Sequence, residues 1–180
     1  MHYATIKNCD IANGPGVRVS LFVSGCRHRC PGCFNEVAWD FQYGEEFTQD
    51  TIDDILTMLK PAHIKGLTLL GGEPFEPENQ TAIVDLLRQI KLKHPEKSIW
   101  AFSGYLFDKD ILTGRLGPWE ITKEYLSYLD VLVDGPFVMA KKDLSLRFRG
   151  SSNQRLIDVP KSLQENKVVL WEDWQSNERR

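Results

Sequence analysis

The stretch "VRVSLFV" (17–23) alternates between two sides of an extended chain and is rich in β-branched and aromatic residues, which predicts a strand. The apolar spacing then shifts to a helical period. "TIDDILTML" puts Ile52, Ile55, Leu56 and Leu59 on one face, with Thr48 or Asp50 placed to cap the first turn. The short run "GLTLL" (66–70) predicts a buried strand, and "NQTAIVDLLRQI" a second amphipathic helix with Ile83, Leu86, Leu87 and Ile90 inward. "SIWAF" (98–102) reads as a strand, "WEITKEYLSYL" as a helix and "DVLVD" (130–134) as a strand, with a last strand near residues 154–158. Glycine and proline punctuate the joints.

Strands alternating with helices imply parallel strands joined by right-handed crossovers, hence an α/β domain. Four or five such units make either a doubly wound sheet or an incomplete (β/α) barrel, since a full eightfold barrel needs roughly 250 residues. The domain is expected to span residues 1–160. Residues 161–180, "KSLQENKVVLWEDWQSNERR", form a short C-terminal extension with a frayed end and no assigned function. Each predicted strand runs directly into small and polar residues: "SGC", "GGEPF", "SGY" and "DGPF". The carboxyl ends of parallel strands share one rim, and ligands bind there. Four such loops predict one composite site.

Composition narrows the class. The chain has 180 residues, 42% of them hydrophobic and 26% charged, as expected of a soluble globular protein. Its formal charge of −3 gives no electrostatic reason to expect nucleic acid or an anionic membrane as partner. No apolar run approaches a membrane span, and "MHYATIKNCD" lacks the apolar core of a secretory signal. The expected compartment is the cytoplasm, where thiols stay reduced and clustered cysteines point to metal or redox chemistry.

Three of the four cysteines, Cys26, Cys30 and Cys33, fall within "SGCRHRCPGCFNE". Thiolates select zinc, copper(I) and iron–sulfur clusters. A closed zinc site takes four ligands, as a rule in two pairs from separate segments; here the remaining candidates are Cys9 and four histidines, His28 among them. One winding loop can supply three ligands to a cubane cluster, leaving one iron open for a substrate. Three readings of the thiols thus stand side by side: a cluster, a zinc ion, or inert side chains.

C-x3-C-x2-C directly after the first predicted strand resembles the radical S-adenosylmethionine (SAM) superfamily. That resemblance implies an incomplete barrel of parallel strands and a [4Fe-4S] cluster held by Cys26, Cys30 and Cys33. SAM would bind the open iron and be cleaved by one electron to methionine and a 5′-deoxyadenosyl radical. "GGEP" (Gly71, Gly72, Glu73, Pro74) is similar to the superfamily's glycine-rich motif that meets the methionine moiety of SAM. Ser103, Gly104 and Asp134 stand where members contact its ribose and methionine parts. Many members place an aromatic residue immediately before the third cysteine; here Gly32 stands there, so adenine contact falls to backbone around Gly32, Cys33 and Phe34, or to the Phe34 ring.

"NGPGVRVSLFVSGCRHRCPGCFN", "GGEPF", "VDGPFV" and "RFRGSSNQR" together, over residues 5–158, resemble the family of activating proteins of anaerobic ribonucleotide reductases. The resemblance implies a protein substrate, the reductase, on which a glycyl radical is formed near the C-terminus. It also implies a one-electron donor protein such as a flavodoxin. An activase of another glycyl-radical enzyme, a radical SAM enzyme with a small-molecule substrate and a zinc-stabilised binding module are the alternatives. "NGPG" (13–16) reads as a turn, and Cys9 as a lone thiol. "RGSSNQR" (149–155) shapes the partner-facing side of the site or is a structural loop. The basic residues Lys141, Lys142, Arg147, Arg149 and Arg155 form a solvated surface or meet an acidic reductant protein.

Overall fold

The computed structural model describes residues 1–172. Its seven-stranded sheet contains β1 (His2–Asp10), β2 (Val17–Val23), β3 (Glu45–Glu46), β4 (Ile64–Gly71), β5 (Ser98–Phe102), β6 (Val131–Asp134) and β7 (Arg155–Asp158), in the order β3-β1-β2-β4-β5-β6-β7. The helices are α1 (Gln49–Leu59), α2 (Pro77–Lys93), α3 (Trp119–Tyr128) and α4 (Val159–Glu165). The sheet is open and mixed. β2, β4, β5 and β6 are parallel neighbours, whereas β1 and β7 run antiparallel to the strands beside them. The expectation of parallel strands throughout therefore holds for the middle of the sheet only. No α-helix separates β6 from β7, so the crossover that a parallel pairing needs is absent.

β2 and β5 keep the bounds read from the sequence; α1 and α2 extend the predicted helices by two to five residues, and α3 ends one residue short of its prediction. Thr48 is the N-cap of α1, with its backbone N–H donating to Thr51 Oγ1 at 3.2 Å. Pro77 opens α2, at a position where a missing N–H costs nothing. The expected frayed end, with Trp174, lies outside the described residues.

Because the sheet period is two, each central strand divides its side chains between two faces. Val19, Leu21, Leu67, Leu69, Ile99, Ala101 and Leu132 pack with the inward faces of the helices in one core. Trp100, Val131 and Val133 pack on the opposite face with Phe102, Phe148 and Trp171. The parallel strands are added in one direction, so all the helices cover one face, and the other is left for loops and a cavity.

That second face also holds a buried cation. Arg18 donates from Nε to Thr68 Oγ1 (2.7 Å), from one terminal nitrogen to Ser98 Oγ (2.9 Å), and from the other to the Leu67 and Ser98 carbonyls. Burial lowers its pKa to about 10. These bonds tie β2 to β4 and β5 beneath the cavity.

Candidate metal centre

The chain leaves β2 at Gly25, whose φ of +94° suits a residue without Cβ. A Cβ there would also stand 2.3 Å from the Phe41 ring. The Gly25 N–H donates to the Ala38 carbonyl (2.8 Å) and the Cys26 N–H to the Trp39 carbonyl (3.2 Å), so the cysteine loop is pinned to the short 3-10 turn Glu36–Trp39. The Cys33 N–H donates to the Cys30 carbonyl (3.1 Å).

Cys26, Cys30 and Cys33 are unpaired, half-buried and on the wall of one cavity of about 470 Å³. Burial pushes the Cys26 thiol up to about 11, although the His28 and Arg29 backbone amides favour its thiolate. Burial raises Cys30 too, against the backbone amide of Phe137. The Asn35 N–H reaches the Cys33 sulfur at 3.4 Å. A buried thiol becomes a ligand when a cation compensates its charge. Soft sulfurs with backbone amides aimed at them therefore fit an iron–sulfur cluster, whose properties such hydrogen bonds tune. Among the described residues, no three Cys, His, Asp or Glu side chains converge as a single metal ion requires. A cubane spreads its ligands over several irons and makes no such demand. His28, the candidate fourth ligand of a zinc site, is committed to Glu73.

Glu73 joins three rim loops. Its carboxylate is 1% exposed. Oε1 accepts from Ser103 Oγ (2.9 Å) and the Phe75 N–H (2.9 Å). Oε2 accepts from the Gly104 N–H (2.7 Å) and from His28 Nε2 (3.0 Å). Burial alone would lower the His28 pKa, but the Glu73 hydrogen bond and charge outweigh it and raise the value. The His28 ring also packs on Tyr105, with centroids 4.3 Å apart. Gly104 makes room for it, because a Cβ there would come 2.6 Å from the imidazole.

The glycine loop is latched to the cysteine loop by its backbone. The Gly72 N–H donates to the Val23 carbonyl (2.7 Å) and the Glu73 N–H to the Gly25 carbonyl (2.8 Å). Gly71 has φ +110°, and a Cβ on Gly72 would stand 2.5 Å from the Gly25 carbonyl oxygen. Asn79 Nδ2, at the start of α2, donates to the carbonyls of Ser24 and Glu73 (3.0 Å each). The buried carboxylate of Glu76 accepts from the Arg27 N–H (2.9 Å) and pairs with its guanidinium. Glu76 and Asn79 were not among the expected site residues. The only hint in the sequence was a second acid in "GGEPFE", a residue type common on surfaces.

Of the expected residues, the three cysteines, Gly32 and Phe34 line the cavity, with Gly71, Gly72, Glu73, Ser103 and Gly104 on the same wall. Two others stand off it. Pro74 is buried in the turn. Asp134 is fully buried and accepts from Arg155 Nε (2.9 Å) and the Phe107 N–H (2.8 Å), so its carboxylate is engaged by the protein while Gly135 and Phe137 reach the cavity. Arg149, Gly150 and Gln154 of the donor-rich segment line it as well, and Phe102 and Phe148 supply apolar wall. Cys9 lies in β1, exposed, and is not part of the cavity wall.

Comparison with known proteins gives one family model and a set of close relatives. Residues 12–157 match the model described as a 4Fe-4S single cluster domain. The chain is 42% identical over 158 residues to the anaerobic ribonucleoside-triphosphate reductase-activating protein of Enterobacteria phage T4, an alignment covering 87% of this chain and 93% of that protein. The protein of the same name from Vibrio cholerae is 41% identical over 157 residues, covering 86% of this chain and 96% of the relative. That of Escherichia coli K12 is 42% identical over 156 residues, with the same two coverages.

Proposed function

The chain belongs to the family of anaerobic ribonucleoside-triphosphate reductase-activating proteins, and on that premise we propose how its site does the work. The protein is an activating enzyme with an iron–sulfur domain, and its target is the anaerobic ribonucleotide reductase. In our reading Cys26, Cys30 and Cys33 hold a [4Fe-4S] cluster, and SAM fills the cavity beside it. When bound, the cluster would supply the single electron for reductive cleavage of SAM, the chemistry by which a hydrogen atom would be taken from a backbone glycine of the reductase with methionine and 5′-deoxyadenosine as products. The observation that carries this reading is the set of three unpaired thiols on the wall of a 470 Å³ cavity beside the glycine loop.

The chain's own residues position and shield. Gly71 and Gly72 bring backbone close to the ammonium of SAM. Glu73 holds the cysteine, glycine and Ser103–Gly104 loops in one register, and its charge at the wall favours the same ammonium. Ser103 and Gly104, on the cavity wall, would meet the ribose, and Phe34, 85% exposed, would offer its ring to the adenine. Pro74 and Asp134 act from behind the wall, the first by fixing the turn and the second by anchoring Arg155.

We read the open sheet, with helices on one face and the cavity on the other, as the partial barrel of the radical SAM superfamily. Residues 1–160 form the catalytic unit and the remainder a C-terminal extension. A one-electron donor such as a flavodoxin would reduce the cluster. Among the described residues no helix is long and apolar enough to cross a membrane, and the reducing cytoplasm suits three unpaired cysteines.

The test is anaerobic reconstitution with iron and sulfide, followed by reductant and SAM. Methionine and 5′-deoxyadenosine are expected from the wild type and not from Cys30→Ala, and a glycyl-radical signal is expected when the reductase is added. An active Cys30→Ala variant would overturn the assignment.

A further inference from the structure

We propose that the hairpin-like flap 139–151 and the Ile11 turn form the docking surface for the reductase, gripping the residues that flank its glycine at the cavity mouth. This inference rests on the functional reading above. The flap is built from its own bonds. Lys142 and Ser151 pair as an isolated bridge, the Asp143 N–H donates to the Gly150 carbonyl (3.2 Å), and the Ser152 N–H donates to the Lys141 carbonyl (2.9 Å). At its tip the Ser145 N–H donates to Asp143 Oδ1 (2.8 Å), which fixes the turn that displays Leu144. Between that turn and the paired base, Phe148 sits in the left-handed region (φ +57°) with its ring edge-on to Trp100, centroids 5.4 Å apart. An unfavourable backbone conformation held by aromatic packing marks a segment whose position is over-determined.

The flap presents two exposed apolar side chains, Met139 and Leu144, among the exposed charges of Lys141, Lys142, Asp143 and Arg147. Leu144 is 90% exposed although its turn bonds need no leucine. Ile11 is 75% exposed, next to Ala12, which lines the same cavity. Exposed Met139 starts the flap against the cysteine loop: a Cβ on Gly32 would fall 2.0 Å from its Cε. Single exposed apolar residues are ordinary; several around one mouth are not. The occupant follows from the chemistry. The hydrogen removed belongs to a main-chain glycine of the reductase, so that backbone must cross the rim to reach the cavity, and glycine's neighbours come to rest on Ile11, Met139 and Leu144. The rim is continuous with the reaction site, since Leu144 and Ala12 line the same cavity as the three cysteines.

The test measures affinity of the cluster-loaded protein for the purified reductase under anaerobic conditions, alongside iron content and SAM cleavage without the reductase. Leu144→Asp and Ile11→Asp are each expected to weaken binding by about tenfold or more; Ile11 stands off the cavity wall, so its variant keeps wild-type iron content and uncoupled SAM cleavage. Leu92→Asp, at an 82% exposed leucine near the far end of α2, is expected to bind as wild type. Unchanged affinity in both rim variants, or an equal loss in Leu92→Asp, overturns the proposal. Should an aspartate variant fail to load its cluster, Leu144→Ser decides, and wild-type affinity there overturns it too. A wild type that binds the reductase without cleaving SAM leaves the docking surface standing and removes the cofactor reading. A wild type that does not bind the reductase overturns the docking surface whatever the SAM assay gives.

Discussion

Glu73 satisfies four donors from three loops with one carboxylate, and the consequences are asymmetric. An amide in its place turns one acceptor into a donor facing donors, since the Phe75 and Gly104 N–H groups cannot accept. Glu73→Gln is therefore expected to lose about 2–4 kcal/mol of stability, the cost of a buried donor left unmatched beside a broken network. Urea unfolding of the cluster-free protein measures it as a lower midpoint with an unchanged slope; an unchanged midpoint would show that the network adds nothing to folding. The glutamate was legible in "GGEP" as a charge suited to a cation. Its four partners were not, because they arrive from positions 28, 75, 103 and 104, and only folding puts those at one point. His28 shows the same limit: it stands between cysteines like a ligand, yet its ring is taken by Glu73 and Tyr105.

Strands and helices with a buried face were readable, since burial on one side imprints a period on the chain. β2 and β5 and the three long helices owe their legibility to that. β1, "HYATIKNCD", escaped because most of its residues are exposed or only half-buried, so no alternation is enforced. β7 was seen as a strand but not as antiparallel, because direction depends on the connection rather than on the residues themselves. The segment after α4 gains its structure from the sheet: Leu170 bridges to Ile157, and the Trp171 ring lies edge-on to Trp100 with centroids 5.0 Å apart. Trp171→Ala removes that cover from the Trp100 face. It is expected to cost about 2 kcal/mol, or about 4–8 °C in Tm for a chain of this size. A thermal scan of the cluster-free protein reports it, and a loss below 1 °C would mean the extension is not coupled to the fold.

At the scale of the whole molecule, folding places three thiols in a half-buried site where Cys26 and Cys30 are held above their ordinary pKa. Without a cation these thiols stay protonated and neutral; a cluster takes them as thiolates and compensates the charge that burial disfavours. Cluster loading should therefore stabilise the folded protein by mass action, raising Tm by several degrees on reconstitution and returning it on chelation. Equal Tm values for loaded and cluster-free protein would place the cysteines outside the folding equilibrium.

The sequence by itself determined the α/β class, the rim of loops at the strand ends, the three-cysteine spacing and the family, because each is carried by residues close together in the chain or by ordered blocks along it. Tertiary structure alone decided that the sheet is open and mixed, that Asp134 faces Arg155 rather than the cavity, that Glu73 ties three loops, and that residues between Lys142 and Gly150 join the cavity wall. Those outcomes rest on contacts between residues tens of positions apart. A local pattern fixes which face of an element is apolar, whereas the pairing of distant polar groups is settled only when the sheet brings them within hydrogen-bonding distance.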